Sequence, residues 1–185
     1  MTNRRSLTAL AGAVSAALLM TGCSSMSEKT PEEILGYEPE VREYEPAKQQ
    51  VNDASSRLLD WMAVKGAPTR VSARVTLCES VDPDFKTHYL VEHPWAVYDL
   101  TKGSFEQAMQ NLREQLPRNG WKIVKDGFTE SKRKDPQITA ENGTLRLGLN
   151  VEWMRNRSGD LKDGIAVTVV SRCYRAPEGT TPYGR

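Results

Sequence analysis

Two histidines, His88 and His93, are all the imidazole chemistry that the 185-residue chain offers, and it has only three cysteines. Motifs that would mark catalytic machinery are missing as well. There is no HExxH metal helix, no GxSxG nucleophile turn, no glycine-rich phosphate loop and no calcium-loop spacing. Charge of one sign is scarce: 25 Lys and Arg stand against 24 Asp and Glu, a net of +1. Such a balance leaves no electrostatic footprint for nucleic acid, so no nucleic-acid partner is expected. No apolar run reaches the ~20 residues that a helix needs to cross a bilayer.

What is present begins at the N-terminus. "MTNRRS" places Arg4 and Arg5 ahead of the uncharged, Ala/Leu-rich "LTALAGAVSAALLM", which ends at Thr21-Gly22-Cys23. A charged start, a short apolar run and small residues at its end form the layout of an export signal. Leu19-Met20-Thr21-Gly22-Cys23 further resembles the lipobox of bacterial lipoproteins, with Met20 standing where Leu is commonest. The resemblance implies a thioether-linked diacylglyceryl group on Cys23, which becomes the first mature residue, and a signal peptide of residues 1–22. Two acyl chains anchor stably, at ~0.8 kcal/mol per buried CH₂, where one chain is marginal. Arg4-Arg5-Ser6-Leu7 also matches a fragment of the twin-arginine export signal, so the export route stays open.

Residues 23–46 carry seven glutamates against Lys29 and Arg42. A segment so acidic and poor in core-forming residues reads as a flexible tether, which an anionic leaflet would repel. With Cys23 assigned to the lipid, Cys78 and Cys173 remain. An even pair outside the cytoplasm reads as a disulfide.

Residues 47–175 read as a single α+β domain, followed by a loose tail, 176–185. A helix is predicted from Pro46 to Gly66, with Ala47, Val51, Ala54, Leu58 and Trp61 on one face. "RVSARVTLCE" alternates as a half-buried strand with Val71, Ala73, Val75 and Leu77 inward, which leaves Cys78 out of phase. "HYLVEHPWAVYDL" is strand-like, but Pro94 argues for an edge or a bulge. A second helix starts at Ser104, with Gln107 completing a capping box, and ends at Asn119-Gly120. "WKIVKDGF" follows as a strand. A two-residue hairpin is predicted at Asn142-Gly143, leading into the longest strand, Leu145 to Trp153. "IAVTVVSRCY" supplies the last strand. Together these predict an antiparallel sheet of about five to six strands with two helices packed on one face.

If the helices cover one face, the other presents Arg74, Arg146, Asn150, Glu152, Thr168 and Arg172, with Thr76 beside them. Arginines among amide and hydroxyl groups suit a carboxylate, phosphate or glycan ligand, and these residues are the candidate ligand face. A solvated antiparallel face has the same composition. The loop "ESKRKDP", with Arg155, Arg157 and Lys162 nearby in sequence, is a basic patch suited to lipid headgroups or anionic wall polymers. His88 and His93, five apart on a strand, point to opposite faces and are expected near a surface edge, so no metal site is assigned.

The chain therefore resembles the small cell-envelope lipoproteins of Gram-positive bacteria and actinobacteria. That resemblance implies a location on the extracytoplasmic side of the cell membrane, lipid-anchored through Cys23. The expected role is a non-enzymatic binding module without cofactor, whose partner is an envelope protein or an anionic polymer. The alternative is a small extracytoplasmic hydrolase or transferase using Asp82, Asp84, Glu92, His88 and His93.

Overall fold

Alternating apolar residues in five segments build the molecule, and a computed structural model describes it over residues 29–69 and 71–182. The apolar run expected as an export signal, and Cys23, lie outside the described residues. In chain order the elements are α1 (Pro31–Leu35), α2 (Tyr44–Met62), β1 (Lys65–Pro68), β2 (Arg74–Leu77), β3 (His88–Lys102), α3 (Phe105–Arg118), β4 (Lys122–Phe128), β5 (Pro136–Asn142), β6 (Leu147–Met154), β7 (Gly164–Ser171) and β8 (Tyr174–Arg175). All eight strands join one antiparallel sheet in the order β1-β3-β7-β6-β5-β4, with β2 and β8 also paired to β3.

The class is α+β, as the sequence predicts, but the sheet has more strands than expected. The additional ones, β1 and β8, are four and two residues long. Neither is long enough to display a period of two, and both form by pairing onto β3.

Register puts one set of side chains on a single face. Val97, Trp95 and His93 of β3 sit opposite Ile165, Val167 and Val169 of β7, which face Trp153, Val151 and Leu149 of β6. Val151 and Leu149 in turn oppose Ile138 and Ala140 of β5. Against this face pack Ala47, Val51, Ala54, Leu58 and Met62 from α2 and Ala108, Met109, Leu112 and Leu116 from α3, as one buried cluster. Burying each large aliphatic side chain contributes roughly 1.5–3 kcal/mol, so the two helical stripes hold the sheet. The opposite face stays half-exposed.

The longest strand is β3, not β6, and it continues through Pro94 without a break in register. Ala96 directs its N–H to Thr69 Oγ1 and its carbonyl to the Thr69 N–H, so even-numbered residues here point toward the β1/β2 side. Pro94, of the same parity, aims its missing donor at the gap between β2, paired as far as Glu92, and β1, paired from Val97. The strand is locally an edge there, which is where proline is tolerated.

Helix α2 begins two residues before Pro46 and stops at Met62, where Ala63 takes a left-handed φ of 54°. Gly66, expected as the helix stop, instead lies within β1. The N-cap of α3 is Ser104, whose hydroxyl accepts the Gln107 N–H. The Gln107 side chain donates to Asn111 rather than closing the capping box. The β5–β6 connection is a four-residue loop, 143–146, because the Asn142 carboxamide oxygen accepts the Leu145 N–H and Arg146 turns left-handed at φ 55°. Leu145 is thus a loop residue leaning on the core, and the strand starts at Leu147.

Cys78 and Cys173 form the expected disulfide across 95 residues, with a Cα–Cα distance of 5.8 Å. The phase conflict resolves because β2 ends at Leu77. Cys78 opens a turn in which its carbonyl accepts the N–H groups of Val81 and Asp82, and it no longer follows the strand's alternation. Val71 and Leu77, expected inward, are exposed, while Ala73 and Val75 between them pack on the core as expected.

The acidic segment expected as a free spacer makes specific contacts over its described part. Thr30 and Glu33 close a capping box on α1, and Val41 forms a parallel bridge with Arg175. Tyr37 accepts the Cys173 N–H at 2.9 Å, and Tyr89 donates to the Arg42 carbonyl at 2.7 Å. In the expected loose tail, Ala176 is buried and its N–H binds the Thr87 carbonyl.

Closing a loop of this length removes chain entropy from the unfolded state, so replacing both Cys78 and Cys173 by Ser is expected to cost about 4–5 kcal/mol. Urea unfolding of the oxidised wild type beside the double variant measures it.

Candidate functional site

The structure divides the six residues of the expected ligand face into three places. Asn150 and Thr168 are direct partners across β6 and β7, with Glu152 two residues along. Asn150 Oδ1 is already occupied, accepting from Gln137 at 2.6 Å and from Thr139 at 3.3 Å. Glu152 lies 3.5 Å from the Arg157 guanidinium, and burial raises its carboxyl above the usual range, helped by the nearby Asp135 charge. Arg74 stands on the edge strand with Nη2 2.6 Å from Glu92. Arg146 and Arg172 meet at the far end of the β6–β7 pair. There Arg146 binds Glu40 at 2.8 Å, and the Arg172 guanidinium lies 5.0 Å from the Tyr37 ring centre. Each arginine thus has an internal partner, and two of these partners come from the N-terminal segment.

The five residues of the hydrolase alternative are also dispersed. Asp82 is buried, and one of its oxygens accepts the N–H groups of Lys86, Thr87 and His88 at 2.6–2.8 Å. Burial opposes its ionisation, but these three donors prevail and hold the carboxyl below its usual range. Asp84 pairs with Lys86, and Glu92 with Arg74. His88 is buried rather than at the surface, its Nδ1 2.9 Å from the Thr87 hydroxyl. His93 Nε2 is 3.0 Å from the Val71 carbonyl, so that nitrogen carries the proton. Its buried Nδ1 has no partner. Burial holds both imidazoles below their ordinary range. Among the described residues, no group of three or more His, Cys, Asp or Glu is placed to hold a metal ion.

Of the basic loop residues, Arg157 and Lys162 are neutralised. Lys162 meets Asp99 at 2.5 Å. Arg157 donates to Asp135 at 2.9 Å, with Asp135 only 1% exposed. Asp135 also accepts the Arg155 N–H, tying the β4–β5 loop to the segment after β6. By contrast, Lys132, Arg133, Lys134 and Arg155 belong to none of the ion pairs among the described residues.

Arg155 of that unpaired group lines a cleft of about 440 Å³ between α3 and strands β4 to β6. Glu106, Met109 and Arg113 share one face of α3 and form one wall. Phe128, Trp153 and Arg155 form the other, with the Arg155 guanidinium 5.9 Å from the ring centres of both Phe128 and Trp153. Arg113 grips both oxygens of Asp126 at 2.8–3.1 Å. Phe128 is 54% exposed, while the Trp153 indole nitrogen is buried without an acceptor. Sequence reasoning passed over Phe128 and Trp153. The available signal was an aromatic at the end of a strand directly ahead of the basic "ESKRKDP" run.

Among the described residues no helix is long and apolar enough to cross a membrane. Comparison of the chain with protein-family models, curated proteins and solved structures finds no match.

Two outcomes follow from these environments. Folding depresses both histidine pKa values, so the unfolded chain takes up protons first, and stability should fall as pH drops from about 6.5. Denaturation midpoints across this range should show a shallower slope for His93→Gln. Asp135→Ala leaves the Arg157 guanidinium uncompensated and is expected to cost about 3–5 kcal/mol. Arg74→Ala, at an exposed pair, should cost under about 1 kcal/mol, and thermal or urea unfolding separates the two.

Proposed function

We propose that this protein is a cell-envelope lipoprotein, anchored by acylation of Cys23 on the extracytoplasmic side of the membrane, and that it works as a binding module rather than an enzyme. One observation carries the reading: Cys78 and Cys173 are bonded to each other, which leaves Cys23 as the remaining cysteine, at the end of the apolar run. A disulfide is favoured outside the cytoplasm, which accords with export. A thiol just past a short apolar segment stands where lipid attachment needs its nucleophile.

The binding role draws support from the dispersal of the Asp and His side chains and from the mixed aromatic and charged character of the α3 cleft. Clefts that combine apolar walls with a few polar groups are characteristic of ligand sites. The partner is taken to be an envelope component, protein or anionic polymer, with no nucleic acid and no cofactor.

The test is cell fractionation of the full chain and of Cys23→Ala in a bacterial host. The wild type should sediment with membranes and incorporate an alkyne-labelled fatty acid. The variant should be unlabelled and leave the membrane fraction. Equal labelling of both, or an unlabelled wild type in the soluble fraction, would overturn the reading.

A further inference from the structure

Beyond its place in the envelope, the chain carries a recognisable surface chemistry around the α3 cleft. Loop 129–135 runs from Phe128 to Pro136, both lining residues, so its exposed bases Lys132, Arg133 and Lys134 are carried on the segment that joins two walls of the cleft. Arg155 connects loop to cleft, since its guanidinium donates to the Lys134 carbonyl at 3.3 Å while lying against Phe128 and Trp153. Arg133 reaches the Asn156 carbonyl at 3.4 Å, so the loop is fastened beside the strand end. Around the cleft Arg113 cancels Asp126 and Lys125 faces Glu130, leaving Lys132, Arg133, Lys134 and Arg155 as surplus positive charge against Glu106.

The same place holds an exposed aromatic surface. Phe128 ends β4, an edge strand of the sheet, and is one of the most exposed large apolar side chains. The neighbouring Gly127 lines the cleft with backbone alone. The half-buried Trp153 ring adds apolar surface to the same wall. A purely anionic partner would need the bases but not the ring. A purely apolar one would be opposed by the surplus charge.

We propose that this cleft binds an anionic glycan: a sugar ring lies on Phe128 while its carboxylate or phosphate groups are met by Lys132, Arg133, Lys134 and Arg155. Ring hydroxyls then find the Asp126 carboxylate, the Glu106 carboxylate and the Arg113 guanidinium along the α3 side. This names the partner class for the envelope-binding role and rests on that reading for its location, though not for its chemistry. Carboxylate-bearing and phosphate-bearing sugar chains share the recognised features.

The test uses the full chain carrying Cys23→Ala, so that failure of the anchor and failure of the site are separate results. Binding is measured by calorimetry to short oligogalacturonate (carboxylate), phosphomannan (phosphate), neutral mannan and polyglutamate. One or both anionic glycans should bind, and which one does assigns the charged group. Mannan and polyglutamate should bind at least about tenfold more weakly, each lacking one of the two features. Phe128→Ala should weaken glycan binding about tenfold or more, as loss of an anchoring aromatic does. Replacing Lys132, Arg133 and Lys134 together by Gln should weaken it by roughly a hundredfold at low salt. Both sets of positions are exposed, and retention of the wild-type unfolding midpoint confirms the fold. Absence of binding to either anionic glycan would overturn the proposal. So would polyglutamate binding as tightly as the glycans, or binding indifferent to Phe128→Ala.

Discussion

Tyr89, Val91 and Val97 on β3, Ile165, Val167 and Val169 on β7, and Leu149 and Val151 on β6 project from one face of three neighbouring strands, and all are removed from water beneath α2 and α3. That burial decides much else in the molecule. It fixes the register, because a slip of one residue would turn the whole set outward. It leaves the even-numbered face half-exposed, which is where Thr168, Asn150 and Glu152 lie. On the same side of the sheet as the helices, the Phe128–Arg155 cleft opens between α3 and strands β4 to β6.

The N-terminal segment is a second constraint. Tyr37 and Glu40 sit against Arg172 and Arg146, and Arg42 reaches Gln50 at 2.7 Å and the Tyr174 hydroxyl at 3.1 Å. The Val41 bridge to Arg175 adds backbone pairing. Of the acidic residues that suggested a free spacer, Glu40 serves as the counter-charge of Arg146. On the proposed anchoring at Cys23, the chain between the lipid and Thr30 spans at most about 25 Å when fully extended. The spacer of residues 23–46 would have reached about 80 Å. The folded part would therefore stay close to the membrane.

Much of the architecture was readable because it is written in short-range patterns. The stripes of α2 and α3, the Ser104 cap and the alternation of β6 and β7 needed only neighbours within a few residues. What escaped depends on distant partners. Strands β1 and β8 exist because β3 offers them an edge, and the four-residue loop after Asn142 depends on one side-chain hydrogen bond and one left-handed residue. The site was harder still. Arg74, Arg146 and Arg172 look available in sequence, but Glu92, Glu40 and Tyr37, from 18 to 135 residues away, occupy them. Arg157 and Arg155 sit two apart in sequence, yet one is locked to buried Asp135 and the other lies over two aromatic rings. Only the fold separates those roles.

Export with lipid anchoring is the claim on which the account of location and partner depends. Its most direct test is intact and tandem mass spectrometry of the mature protein extracted from bacterial membranes without reduction. The account predicts a chain beginning at Cys23, carrying a diacylglyceryl mass on that residue, with Cys78 and Cys173 found as one cross-linked peptide. A chain beginning elsewhere, or an unmodified Cys23, would contradict it.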